Sequence, residues 1–181
     1  MKQVSSDKYN VAWFRLAECV SRGEKERALG VYRLLSHSLD DPALVVQLEA
    51  DILWAFNDKQ ALEKYQEAAE LYKKDQRMLE AASVYEHLIT MKQESVEYLG
   101  NLIELYDHLS FDQKGFCCHE QMVFALLKDK ESLPEKIVLH IKKAIEGFMQ
   151  HNKTKELQQF LSKLQVVHEN YYQEAIRYIK E

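Results

Sequence analysis

The stretch Lys59–Leu88, KQALEKYQEAAELYKKDQRMLEAASVYEHL, decides the fold of this chain. Ala61, Tyr65, Ala68 and Tyr72 recur at i, i+4, i+7 and i+11, with Leu62 and Ala69 beside them, so they share one helix face. After a polar break, Ala81, Tyr85 and Leu88 repeat the order small, aromatic, apolar. Small residues let two helices cross closely, and aromatics fill the gaps that remain. The pattern predicts two antiparallel helices that each bury an apolar face.

Working outward, polar or turn-forming clusters recur near Gly23, Asp40–Pro42, Asn57, Lys74, Gln93–Ser95, Ser110, Asp129–Pro134, Asn152 and Glu169. The intervals leave helices of roughly 14 residues with short turns. Asp41 before Pro42 reads as an N-cap followed by proline at the first helical position. Ser110 with Gln113, and Ser132 with Glu135, read as capping boxes. The expected apolar stripes are Trp13, Leu16, Ala17 and Val20; Ala28, Val31, Tyr32 and Leu35; and Ile137, Ile141, Ile145 and Phe148. The last segments carry Leu157, Phe160, Leu161, Leu164 and Val167, then Tyr171, Tyr172, Ile176 and Ile179.

Shifting the chain by 33 residues aligns Ala17 with Ala50, Val20 with Leu53, Ala28 with Ala61, Leu29 with Leu62 and Tyr32 with Tyr65. A second register, pairing Ala69 and Tyr72 with Ala81 and Tyr85, is also present; the 33-residue shift aligns more positions. These residues resemble tetratricopeptide repeats. The resemblance is clearest over residues 7–92 and thins over 93–181, where Val96, Leu99, Gly100 and Ile103 look like a first helix. It implies an all-α fold: one domain, 1–181, forming a right-handed superhelix (an α solenoid) of about nine or ten antiparallel helices.

With 46% apolar and 29% charged residues the composition is that of a folded chain, and only 2 prolines and 5 glycines favour an all-helical one. A net charge of −5, shared evenly between the halves, speaks against a nucleic-acid binder. No apolar run reaches membrane-span length, and the run after Lys2, Val11–Phe14, is too short for a signal segment. Cys19, Cys117 and Cys118 are an odd number with no framework spacing, so free thiols and a cytoplasmic location are expected.

Cys117-Cys118-His119-Glu120 is the one cluster of metal-ligand types, but adjacent cysteines point about 100° apart on a helix. The histidines His37, His87, His108, His119, His140, His151 and His168 show no ligand spacing; His37, His108 and His151 suit helix C-termini. Lys128, Lys130, Lys136, Lys142 and Lys143 read as a solvated face interrupted by acids. No metal, no cofactor and no catalytic constellation is expected, and the reading is a non-enzyme.

The repeat resemblance implies a concave groove lined by Val11, Phe14, Glu18, Leu44, Gln47, Asp51 and Trp54. Such a mixture of aromatic and acidic groups suits a protein or peptide with apolar and basic side chains. The expected function is a protein-binding scaffold or adaptor. The alternative is a structural protein that dimerises through Tyr171, Tyr172, Ile176 and Ile179.

Overall fold

The computed structural model describes the backbone of residues 3–129 and 131–181, and side chains from residue 11 onward except 130. Lys2 and Lys130 lie outside the described residues. The described chain is all-α, with ten helices and no strand. In order these are α1 (Gln3–Ser21), α2 (Lys25–Ser36), α3 (Pro42–Ala55), α4 (Gln60–Lys74) and α5 (Met78–Met91). They continue with α6 (Val96–Leu109), α7 (Asp112–Lys128), α8 (Pro134–Gln150), α9 (Thr154–Val167) and α10 (Glu169–Lys180). No described helix is long and apolar enough to cross a membrane.

The turns are short because one left-handed residue closes each of several helices. Gly23, Asn57, Gln76, Ser110 and Asn152 all have φ between 54° and 74°. At each, its own N–H bonds back three residues and the next N–H bonds back five, as in Asn57 to Trp54 O and Asp58 to Leu53 O. This satisfies carbonyls that a helix end otherwise leaves unpaired. At the other ends, Asp41 accepts from Leu44 N–H with Pro42 behind it, as expected, and Ser95 accepts from Tyr98 N–H.

The chain divides into two compact units, Met1–Val84 and Tyr85–Glu181, with the division inside α5. In the first, α1 packs on α2, α2 on α3 and α3 on α4. Leu16 and Cys19 of α1, Ala28, Tyr32 and Leu35 of α2, and Ile52 of α3 form a common core. Burying a side chain such as Leu35 contributes about 2 kcal/mol. Between α3 and α4 the fully buried alanines Ala43, Ala50, Ala61, Ala68 and Ala69 permit close crossing.

Three tyrosine hydroxyls converge on α3. Tyr32 donates to Val45 O at 3.2 Å, Tyr65 to Asp51 Oδ1 at 2.5 Å and Tyr72 to Gln47 Oε1 at 2.8 Å. Burial, then the charge of Glu49, pushes the Tyr32 phenol up to about 12. Burial and the Asp51 hydrogen bond raise Tyr65 further, so these hydroxyls remain donors at neutral pH.

In the second unit α6, α7, α8 and α9 pack successively, and α10 packs on both α8 and α9. Phe116, Phe148 and Phe160 run through α7, α8 and α9, with ring centroids 5.0 Å and then 6.0 Å apart. The stripe Ile137, Ile141, Ile145 and Phe148 is wholly buried, as its spacing predicts. Among the described residues no buried side-chain nitrogen or oxygen lacks a partner.

Four expectations are corrected. Trp13 is 39% exposed and Ala17 is exposed; of the expected α1 stripe Leu16 is buried and Val20 packs on the core, and Cys19 joins them. Val167 is 56% exposed at the end of α9. Ser110 forms no capping box, because it is the left-handed residue that closes α6, and an N-cap needs extended backbone. Ser132 also forms none: its hydroxyl bonds Asp129, and Leu133 takes the N-cap position before Pro134.

Candidate functional site

Val11, Phe14 and Glu18 share one face of α1, and Leu44, Gln47, Asp51 and Trp54 share one face of α3. The apolar members face solvent: Val11 is 53% exposed, Phe14 76%, Leu44 40% and Trp54 44%. The polar members are already engaged. Glu18 pairs with Arg22 at 2.6 Å, while Gln47 and Asp51 accept the hydroxyls of Tyr72 and Tyr65. The hydroxyls fix the two polar α3 side chains against α4, leaving Leu44 and Trp54 as its outward apolar surface. The two sets occupy separate helices, which both pack on α2.

The C-terminal set stands differently. Tyr171, Tyr172, Ile176 and Ile179 are all half-buried on α10, which lies against α8 and α9. Tyr178 anchors that helix by donating to Glu146 at 2.6 Å, and Lys142 Nζ sits 5.0 Å from its ring centroid. Of the lysines expected as a solvated face, Lys128, Lys136 and Lys143 are exposed and Lys142 is half-buried, and Lys128 pairs with Glu94 at 2.5 Å.

Among the described residues no three His, Cys, Asp or Glu groups gather as a metal site. Cys19 and Cys118 are buried and Cys117 is exposed. Burial, then the neighbouring Cys117, pushes the Cys118 thiol up to about 12, and burial raises Cys117 also, so both are protonated at neutral pH. Beside them Glu86 Oε1 accepts from both Tyr106 and Lys114, at the wall of a cleft of about 540 Å³.

One pairing escaped the sequence. His119 on α7 and His140 on α8 meet Nδ1 to Nδ1 at 2.7 Å. The available signal was weak: His119 lies nine residues before the end of α7 and His140 six after the start of α8, positions that an antiparallel hairpin brings to within about one helical turn of each other. His37 and His151, by contrast, stand at helix C-caps as expected, and His108 in the last turn of α6.

The described residues define an all-helical protein whose helices pack in sequence-adjacent pairs. Comparison with protein-family models and with curated protein sequences finds no match to this chain.

Proposed function

We propose that the chain is a non-enzymatic interaction module, a scaffold or adaptor of tetratricopeptide-like hairpins stacked in a right-handed superhelix, and that α1 and α3 present its docking face. The observation that carries this reading is the outward display of Val11, Phe14, Leu44 and Trp54 in a unit whose other large apolar groups are mostly packed away. The occupant is a peptide or partner helix with apolar and basic side chains. Because hydroxyls of α4 already fix Gln47 and Asp51, the surface loses little side-chain freedom on binding.

The repeat register has its own support. Lys25 Nζ lies 2.5 Å from Asp58 Oδ2, and the two residues are separated by 33 positions, the period of the sequence. The test is affinity capture with the full chain against a Phe14→Ala/Trp54→Ala double variant. The expected result is loss of the captured partners. Undiminished capture removes the docking face from these helices.

A further inference from the structure

The α7–α8 contact contains a titratable pair that the docking face does not use. His119 and His140 are half-buried, with ring centroids 5.0 Å apart and Nδ1 atoms at 2.7 Å. At that separation one Nδ1–H donates and the other Nδ1 accepts. A first added proton can go to the Nε2 of the donating ring and leave the bond intact. A second must go to the accepting Nδ1, and two N–H donors then face each other between two imidazolium rings.

The surroundings offset such charge only in part. On α8, Lys136 acts on His140, and Lys143 and Glu146 act on His119. Glu146 is already engaged by Tyr178 of α10 at 2.6 Å and by Lys143 at 3.7 Å. On α7, Glu120, the neighbour of His119 in sequence, is held by Lys163 of α9 at 3.4 Å. Close packing surrounds the pair on the same interface, where Phe116 meets Phe148.

We propose that the His119–His140 contact is an acid-sensitive latch. It holds α7 to α8 while the accepting nitrogen is bare and releases them when both rings are charged.

The energetics agree in sign. Burial, then His119 and Lys136, lowers His140 to about 4; burial, then Lys143, lowers His119. Both folded values lie below the ordinary histidine value of about 6.5, so the unfolded chain binds more protons in that interval. The contribution of the pair is complete above about pH 6.5 and is lost as pH falls toward 4.

Amide hydrogen exchange between pH 7 and pH 4.5, corrected for the intrinsic chemical rate, tests the latch, with α3 and α4 as internal reference. Below about pH 6.5, exchange in α7 and α8 is expected to rise about tenfold per pH unit for each proton taken up on opening. His140→Asn, which cannot be charged and keeps an acceptor for His119, is expected to remove one of the two protons taken up and so to limit the rise to at most about tenfold per pH unit. Flat protection of α7 and α8 in the native chain, or an unchanged rise in the variant, overturns the proposal. Should the variant not fold, ring-proton NMR of the native chain decides: both histidines titrating near 6.5 overturns it, and displaced titrations support it.

Discussion

Arg77 Nη1 stands 2.5 Å from Asp41 Oδ2, tying the residue that precedes α5 to the N-cap of α3. The other Asp41 oxygen accepts from Leu44 N–H at 3.1 Å, so one carboxylate both starts a helix and binds a distant segment. Arg77 is held further by Glu80 at 2.9 Å and lies 4.5 Å from the Tyr72 ring centroid. Burial works against the Asp41 charge, but the Arg77 and Leu44 hydrogen bonds prevail and hold its carboxyl below the usual range.

Asp41→Ala is expected to lower stability by about 1 kcal/mol through the lost cap, with a small addition from the half-exposed ion pair. Asp41→Asn, which keeps the cap, is expected to lose only the pair. Since the folded carboxyl is depressed, its contribution is present above the ordinary value near 3.9 and disappears as pH falls through the folded value. Urea unfolding of the three proteins at pH 7 and pH 3 measures this: the gap between native and Asp41→Asn narrows at the lower pH.

The same substitution is expected to have opposite signs at two glycines. A Cβ on Gly147 of α8 would lie 2.2 Å from Phe116 Cβ, whereas one on Gly100 of α6 meets only the flexible end of Met122, at 3.9 Å. Gly147→Ala is expected to cost about 1–3 kcal/mol by overpacking, beyond any helix-propensity gain. Gly100→Ala is expected to stabilise by up to about 1 kcal/mol. Thermal unfolding of both variants reads the two signs; a stable Gly147→Ala protein would refute the close α7–α8 approach.

Gln76 holds φ at 61° between α4 and α5, a conformation that costs a residue with a Cβ about 1 kcal/mol. Its turn bonds are made by backbone alone, Gln76 N–H to Lys73 O and Arg77 N–H to Tyr72 O. Gln76→Gly is therefore expected to raise the melting temperature, offset in part by the freer unfolded chain. A fall in melting temperature would count against the left-handed turn.

Tyr65→Phe and Tyr72→Phe each remove a hydroxyl from Asp51 or Gln47 while keeping the ring. The expected loss is about 1 kcal/mol apiece, because the exposed or half-exposed acceptors regain water. If the hydroxyls pre-organise α3, partner capture also weakens in both variants without any change in helix content by circular dichroism.

The helices were legible because their evidence is local. Ile137, Ile141, Ile145 and Phe148 lie on one face at any backbone position, and Asp41-Pro42 carries its cap within four residues. The Ser110 capping box is absent because Ser110 has two duties in a short connection, whereas the hydroxyl of Ser132 is taken by Asp129. Closing α6 requires a left-handed backbone, and that excludes the extended backbone of an N-cap. On α1 the expected stripe is half right: Leu16 is buried and Val20 packs on the core, but Cys19 takes the inward place expected of Ala17, and Trp13 stays at the surface. Trp13, Leu16, Ala17 and Val20 span a face wider than α2 covers, and spacing alone does not say which edge of it is left out.

The candidate docking residues were legible as off-stripe positions, since what a helix does not bury inward it shows outward. Their hydrogen bonding was not. That Asp51 and Gln47 are taken by Tyr65 and Tyr72 depends on how α4 rotates against α3.

By itself, then, the sequence determined the all-helical class, most helix boundaries and most buried stripes, because periodicity, caps and turn residues act over a few residues. Only the tertiary structure decided which charges and rings meet: Arg77 with Asp41, Lys25 with Asp58, and His119 with His140. Those contacts join residues separated by 36, 33 and 21 positions. Helix packing sets them, and packing follows from the fit of whole faces that no single motif encodes.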